Sequence, residues 1–247
     1  MIWIFPLFAS FMFLKISTIV LIPSLIIQGN AVKKNTLRLP EPDGNRQGMI
    51  GTGKSLSILI LGDSAAAGVG VEIQEDALLG AVLNQLKDQY EISYILEAKT
   101  GHTTGQVIKT AKSMSAQHFD VVITSVGVND ITKLTPPENW IQKQQQLYAE
   151  INQKFTPELI IAAGVPPMNM FPALPNPLAW LFGQYAKGMN KTLGKFVQKQ
   201  ANMQWIEYDL ERFKTLNLEM AADGFHPSKE IYALWGEQVA DKIRQMF

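Results

Sequence analysis

Short apolar runs alternate with stretches of helical periodicity over most of the chain. Five runs, at residues 57–61, 92–96, 121–126, 159–163 and 204–208, are mostly rich in isoleucine, leucine and valine. Such runs are typical of strands that are covered on both faces. The stretches with helical length lie at residues 77–89, 104–115, 138–153, 178–199 and 229–246. This alternation predicts an α/β fold, in which helices connect the parallel strands of one sheet.

The amino-terminal stretch follows a different pattern, because it is apolar almost without interruption. Lys15 is the only charged side chain among residues 1–32. As a helix, residues 3–27 would extend about 37 Å, which exceeds the ~30 Å hydrocarbon core of a bilayer. We interpret residues 1–32 as a membrane segment and favour an uncleaved anchor.

Two other interpretations of this stretch stay open. Small residues at 29–31 suit cleavage of a secretory signal, which would release the protein to the periplasm or the medium, although a basic amino-terminal region is missing. A buried core helix fits less well, since the stretch has no polar face. Lys33, Lys34 and Arg38 favour a cytoplasmic domain by the positive-inside rule, but Lys15 leaves the side of the membrane open.

A polar segment rich in proline and glycine follows the apolar stretch. Residues 33–54 are interpreted as a linker, and residues 55–247 as one domain of ordinary size. Around their boundary, GMIGTGKS at residues 48–55 matches the phosphate-binding pattern G-x-x-x-x-G-K-[ST]. A working loop of that kind follows a strand and opens a helix, whereas this one precedes a predicted strand. The order therefore disfavours nucleotide binding.

Composition narrows the classes of function. The chain has 247 residues, of which 47% are hydrophobic and 18% are charged, and this excludes a disordered protein. Basic and acidic residues number 22 each, so there is no basic excess to indicate a nucleic-acid partner. The chain has no cysteine and only three histidines, which excludes thiol nucleophiles and cysteine-ligated metals. We expect neither a metal nor another cofactor.

Candidate catalytic residues follow three of the predicted strands. Ser64 follows the first strand in the sequence GDSAAAG, Gly101 follows the second, and Asn129 follows the third in GVND. The carboxyl ends of parallel strands meet at one edge of a sheet, where ligands bind. There, small neighbours would expose the hydroxyl, glycine would leave a backbone N–H accessible, and the amide could donate to an oxyanion. Each residue alone is also a common turn residue.

A fourth element, DGFH, places Asp223 three residues before His226 and just ahead of the last predicted helix. A carboxylate at this spacing can hold an imidazole in one tautomer and stabilise its protonated form. Alone, the pair is equally well explained as a solvent-exposed turn.

Together and in this order, the four blocks resemble those of the SGNH, or GDSL, hydrolase family over about residues 57–245. The opening block lacks the family's frequent leucine after GDS, and GVND has valine where glycine or threonine is common; neither change removes a functional group. The resemblance implies a flavodoxin-like three-layer α/β/α sandwich with a five-stranded parallel sheet. It also implies hydrolysis of carboxylic esters through an acyl-enzyme intermediate.

The resemblance further implies a role for each site residue. Ser64 would be the nucleophile, His226 its general base, and Asp223 the carboxylate that orients the imidazole. The backbone N–H groups of Ser64 and Gly101 and the side-chain amide of Asn129 would form the oxyanion hole.

The segment VPPMNMFPALPNPLAW, residues 165–180, follows the fourth predicted strand and should overhang the active-site edge. Its large apolar residues could line an acyl-chain pocket, face lipid, or pack the next helix; these residues are Met168, Met170, Phe171, Leu174, Leu178 and Trp180. With an apolar segment at the amino terminus, an acyl or lipid-like ester is the expected substrate. Carbohydrate acetyl esters, acyl thioesters and a noncatalytic membrane-tethered binding module are the alternatives. The oligomeric state is not indicated.

Overall fold

The computed structural model describes residues 5–208 and 210–247. Within these residues the strands are β1 (Gln47–Ile50), β2 (Lys54–Gly62), β3 (Tyr90–Ala98), β4 (Val121–Ser125), β5 (Leu159–Ala163) and β6 (Met203–Ile206). The helices are α1 (Phe5–Asn35), α2 (Ser64–Ala67), α3 (Leu78–Leu86), α4 (Thr104–Ser113), α5 (Val128–Thr132), α6 (Pro137–Phe155), α7 (Leu178–Val197), α8 (Leu210–Thr215) and α9 (Lys229–Arg244).

All six strands form one sheet in the order β1-β3-β2-β4-β5-β6. Strands β2 to β6 are parallel to one another, and β1 pairs antiparallel with β3. The order of the parallel strands is that of flavodoxin-like sheets. In such sheets successive strands are first added toward one edge and then, after a switch point between the first and third strands, toward the other edge. The predicted α/β fold is confirmed, with one strand more than the five expected.

The additional strand β1 comes from the segment that the sequence assigns to the linker. Its four residues are all exposed, so the strand buries no side chain and produces no apolar run. It lies at the sheet edge and is held by pairing with β3, from Gln47 opposite Ile95 to Ile50 opposite Ile92. Hydrophobic patterning cannot detect a strand of this kind, because patterning reports burial.

Strand β1 also explains the GMIGTGKS pattern. The pattern begins in β1, and its last two residues already belong to β2, so no helix opens at its end to provide the N-terminus of a phosphate-binding loop. Its glycines instead allow close packing, since a Cβ on Gly51 or Gly53 would lie 2.3 Å from the carbonyl oxygen of Tyr90 or Gln89, respectively. Both glycines have positive φ angles of 87° and 119°.

Helices cover both faces of the sheet and complete the three layers. Leu59 and Leu61 of β2 enter a core that includes side chains of α4, α6 and α7. Leu56, Ile58 and Ile60 enter a second core against α3 and α9. Alternate side chains of β2 are therefore buried in opposite cores. This packing fixes the carboxyl end of the strand, which Ser64 follows, between two helical layers.

Helix α1 packs against α7. Its portion Met12–Asn35 has a mean hydropathy of 1.7, with 11% of its apolar window buried, and is long and apolar enough to cross a membrane. An anchor and a signal segment both satisfy this description.

Candidate active site

Ser64 stands at the carboxyl end of β2, as the first residue of the short helix α2. Asp63 caps this helix by accepting a hydrogen bond from the backbone N–H of Ala65 at 3.1 Å. A glycine is required just before the cap, because a Cβ on Gly62 would lie 2.2 Å from the carbonyl oxygen of Ser125 in the neighbouring strand β4. The turn therefore presents the hydroxyl of Ser64 at the sheet edge.

His226 lies beside this hydroxyl, although 162 positions separate the two residues. The imidazole Nε2 is 2.9 Å from Ser64 Oγ, and Nδ1 is 2.5 Å from Asp223 Oδ2. The other carboxylate oxygen of Asp223 accepts the backbone N–H groups of Phe225 and His226, both at 2.9 Å. These bonds fold the DGFH segment into a turn that aims the imidazole at the serine.

The surroundings of Asp223 keep its carboxylate charged. Burial alone would raise its pKa, but the hydrogen bonds from the His226 ring and from the backbone N–H groups of His226 and Phe225 outweigh burial and lower the pKa below its usual value. An ionised carboxylate on Nδ1 stabilises a proton on the imidazole. The arrangement can therefore transfer a proton from the serine hydroxyl to His226.

Two of the residues expected to bind the oxyanion, Gly101 and Asn129, lie in the turn before α4 and in the short helix α5, and a hydrogen bond joins these two segments. Gly101 has a φ of +83° and no atom within 4 Å of a would-be Cβ, so a ligand can approach its backbone. The Asn129 amide donates one hydrogen bond to the carbonyl of His102 at 3.0 Å. That bond fixes the amide's orientation, while its second N–H can serve a ligand.

Asp130, the last residue of the GVND block, is a further charged residue at this site to which the sequence pattern assigns no role. It is fully buried, and its Oδ2 accepts from the backbone N–H and hydroxyl of Thr104 at 2.8 and 2.9 Å. Its Oδ1 lies 3.6 Å from Lys143 Nζ. Asp130 thereby joins the turn of Asn129 to the start of α4, just after Gly101. The available signal was a charged residue soon after the apolar run that begins β4, at a position where burial would require a partner.

Asp63, next to Ser64, has an unusual charge environment. It is buried, and burial raises its pKa to about 7 despite hydrogen bonds from Ala65 and Gly127 and the nearby charge of His226. The unfolded chain holds the same carboxyl near its ordinary pKa of 3.8. Because the folded pKa is the higher one, folding favours the protonated form.

We expect Asp63→Asn to weaken the pH dependence of stability. In the wild type, the contribution of Asp63 is fully present below about pH 4 and is lost as the pH rises through about 7, a change of a few kcal/mol. Asparagine keeps an acceptor for the Ala65 N–H but does not ionise. Urea unfolding from about pH 4 to pH 8 should therefore show the variant gaining on the wild type as pH rises.

Asp120→Asn provides the control, because hydrogen bonds from Ser57 and His118 outweigh the effect of burial and lower the Asp120 pKa. The Asp120 carboxylate contributes stability above its unfolded pKa of 3.8, so over this pH range the variant should be less stable than the wild type by a nearly constant amount. Parallel stability curves for the wild type and Asp63→Asn would contradict the assignment.

A cavity of about 480 Å³ adjoins Ser64 and His226. Its apolar walls include Val128, Val165, Met170, Phe171, Leu218 and Phe225. Phe171 and Phe225 pack edge to face with ring centroids 5.3 Å apart, which joins the loop after β5 to the DGFH turn. A cavity of this size and lining suits a small apolar ligand.

The structure separates the apolar residues of the segment 165–180 by role. Met170 and Phe171 line the cavity. Met168, Leu174 and Leu178 are buried in the core, as the packing explanation proposed. Trp180 is partly exposed and packs against Phe13 of α1 at a centroid distance of 6.3 Å.

Three potential metal-ligating side chains also meet, but at the opposite edge of the sheet. His118, Asp120 and Glu158 precede β4 and β5 and each offer one ligand atom within 4.8 Å of the others. Asp120 Oδ2 already accepts the backbone N–H and hydroxyl of Ser57, both at 2.6 Å, and Oδ1 lies 3.2 Å from His118 Nε2. We therefore interpret this cluster as a link between β2 and the start of β4.

Comparisons with known proteins identify a family for the chain and solved structures with a similar fold. The model of the GDSL-like lipase/acylhydrolase family matches residues 60–234. No curated protein sequence matches the chain. Similar solved structures include the psychrotrophic esterase EstA from Pseudoalteromonas sp., in a form inhibited by monoethylphosphonate, with 19% identity, a TM-score of 0.56 and coverage of 76% of this chain and 97% of that chain.

Two further structures have the same fold. A member of the lipolytic protein G-D-S-L family from Veillonella parvula has 14% identity, a TM-score of 0.60 and coverage of 77% of this chain and 97% of its own. The lipase/acylhydrolase from Enterococcus faecalis has 19% identity, a TM-score of 0.56 and coverage of 77% and 96%.

Proposed function

Because the chain belongs to the GDSL-like lipase/acylhydrolase family and is a hydrolase acting on esters, we propose that it cleaves carboxylic esters through an acyl-enzyme on Ser64. The observation that carries this proposal is the contact of 2.9 Å between Ser64 Oγ and His226 Nε2. A serine hydroxyl is a weak nucleophile and needs an adjacent base, and His226 lies within hydrogen-bond distance.

The proposed reaction has two stages. Ser64 Oγ attacks the ester carbonyl while its proton moves to His226 Nε2, and Asp223 stabilises the resulting imidazolium. Collapse of the tetrahedral intermediate breaks the ester bond, and His226 gives the proton to the departing alcohol. Water then attacks the acyl-enzyme, with His226 taking its proton and returning one to Ser64, so that the carboxylic acid leaves.

The negative charge of the tetrahedral intermediate needs fixed donors. We assign this role to the backbone N–H groups of Ser64 and Gly101 and to the free N–H of the Asn129 amide. The bond from Asn129 to His102 at 3.0 Å supports the assignment, because a donor held in place before the reaction costs no reorganisation in the transition state.

We expect Asn129→Ala to lower kcat by about 10²- to 10³-fold with little change in KM, because the amide acts mainly on the intermediate. Steady-state kinetics on a p-nitrophenyl ester measure both constants. The control is Asn84→Ala, which removes an exposed amide on α3 and should leave kcat unchanged. A kcat within a few-fold of the wild type would remove Asn129 from the oxyanion hole.

The cavity supports an acyl or lipid-like substrate. Its walls beside Ser64 are mainly apolar and include Met170 and Phe171, which suits a hydrocarbon chain better than a sugar. Carbohydrate acetyl esters and acyl thioesters remain the alternatives on the same machinery. We further propose that α1 keeps the enzyme at a membrane, where lipid-like esters are concentrated.

Labelling with a fluorophosphonate tests the proposed nucleophile. The wild type should bind the probe covalently at Ser64, identified by peptide mass spectrometry, and Ser64→Ala should not label. A panel of p-nitrophenyl esters and matching thioesters of increasing chain length then ranks the substrates, and the highest kcat/KM should fall on acyl chains longer than acetate. Absence of labelling in folded wild-type protein would favour a noncatalytic binding module, and a clear preference for acetylated sugars would overturn the lipid-like assignment.

A further inference from the structure

Helix α1 packs on the domain along a regular seam. Six of its positions that face the domain follow one another at intervals of four and three residues, the spacing of a seam between packed helices. They are Leu14, Thr18, Leu21, Leu25, Gln28 and Val32, all buried or half-buried. Leu14 and Leu25 belong to the same core cluster as α7.

Polar side chains of α1 find their partners on the domain. Lys15 Nζ lies 2.8 Å from Glu138 Oε1, and Thr18 Oγ1 lies 3.1 Å from the hydroxyl of Tyr185. Gln28 makes two bonds, one from its Nε2 to the carbonyl of residue 176 at 2.6 Å and one to its Oε1 from the backbone N–H of residue 178 at 3.1 Å. In a helix surrounded by lipid, Lys15 and Gln28 would lose these partners, and Thr18 would keep only the bond from its hydroxyl to the carbonyl of Leu14 at 2.8 Å. Their positions therefore match a helix docked on this domain.

The outward face of α1 is apolar. It exposes eight large hydrophobic side chains: Met12, Phe13, Ile16, Ile19, Val20, Ile22, Ile26 and Ile27. A patch of this extent on a soluble surface requires a cover. Protein interfaces normally have a rim of mixed polar residues. The polar residues that adjoin this face at the end of the helix are instead the basic pair Lys33 and Lys34, which suits anionic lipid headgroups.

The docked geometry also determines how lipid can cover this face. The seam from Leu14 to Val32 occupies about 27 Å of the helix axis, nearly the thickness of the hydrocarbon core. If α1 crossed the bilayer while docked, α7 would enter the hydrocarbon with it, together with the exposed charged residues Lys187 and Lys191. A helix that lies in the plane of the membrane surface avoids this cost.

We propose that α1 is an integral part of the catalytic domain and lies in the membrane interface, so that its outward face seats the enzyme on an anionic lipid surface. Gln28 binds residues 176 and 178, which lie a few positions after the cavity-lining residues Met170 and Phe171, where the same loop joins α7. Met170 is itself 43% exposed. The seating thus fixes the wall through which, on the function proposed above, a lipid-like ester enters the cavity.

The natural absence of cysteine allows a direct test with the full-length protein on phosphatidylcholine/phosphatidylglycerol vesicles. Single cysteines at Met12, Ile19 and Ile26, which share the outward face, are labelled with an environment-sensitive fluorophore and quenched by lipids that carry nitroxides at known depths. An in-plane helix gives three equal, shallow depths. A helix crossing the bilayer gives depths that differ by up to about 21 Å between the first and the last. Asn84→Cys, on the opposite layer, should remain unquenched.

A second measurement tests docking in the vesicle-bound state. A carbodiimide joins an amine and a carboxylate that already touch, so it should link Lys15 to Glu138, and Lys15→Arg should abolish that cross-linked peptide. Graded depths without the cross-link would show a separate transmembrane anchor, and absence of lipid burial with concentration-dependent self-association would assign the face to a second copy; either result overturns the proposal. Ser64→Ala should bind vesicles like the wild type, so failure of the proposed chemistry and failure of the seating are distinguishable.

Discussion

Replacing Ser64 with alanine should lower kcat/KM for p-nitrophenyl esters by about 10⁴- to 10⁶-fold, because the proposed reaction would lose its nucleophile and His226 would have no hydroxyl to deprotonate. The donors of the oxyanion hole would leave a residual rate above that of water. The fold should persist, since Ser64 is only partly buried and the cap of α2 is supplied by Asp63. Steady-state kinetics and thermal unfolding of the same preparation measure both outcomes.

Ser113→Ala is the matched control for this prediction. It removes a hydroxyl at the end of α4 that bonds only locally, to the carbonyl of Thr110 at 2.8 Å. Its kinetics should equal those of the wild type. Substantial esterase activity in Ser64→Ala, with an unchanged melting temperature, would show that the ester is attacked by some other group.

The parts of the fold that the sequence predicts are those in which burial leaves a pattern. The apolar runs at β2, β4 and β5 coincide with strands whose apolar residues are covered on both faces. The run at residues 92–96 also falls in a strand, β3, although Glu91 and Glu97 of that strand are exposed. The last predicted strand, at residues 204–208, is displaced to Met203–Ile206. Strand order leaves no such pattern, since it depends on which strand each crossover helix passes, and β1 leaves none because its side chains are exposed.

The candidate site was accessible from the sequence for a related reason. Strand ends can be located in a sequence, and a parallel sheet brings its strand ends to one edge. The sequence could not show that Asp130 and Asp63 are buried beside them, because burial of a single polar residue creates no periodicity. The same limit applies to α1, whose apolar residues surround the helix, so that only its polar positions at Lys15, Thr18 and Gln28 reveal which face meets the domain.

Replacing Asp223 with asparagine should lower kcat by about 10⁴-fold while KM changes little. In the proposed mechanism the carboxylate, 2.5 Å from Nδ1 of His226, holds a proton on that nitrogen and leaves Nε2 free to accept the proton of Ser64. An asparagine amide can instead donate to Nδ1 and move the proton to Nε2, so that the imidazole can no longer act as a base. It also lacks the charge that stabilises the imidazolium.

Asp120→Asn is the matched control, because Asp120 also pairs with a histidine, at 3.2 Å from His118 Nε2, but at the opposite edge of the sheet. This variant should lose stability and keep its kcat, whereas Asp223→Asn should lose kcat even under conditions where it is fully folded. Asparagine retains an acceptor for the backbone N–H groups of Phe225 and His226, so the turn should survive the substitution. A fall in kcat of less than about tenfold in folded Asp223→Asn would mean that the DGFH turn alone positions His226, and that the charge of Asp223 contributes little to the reaction.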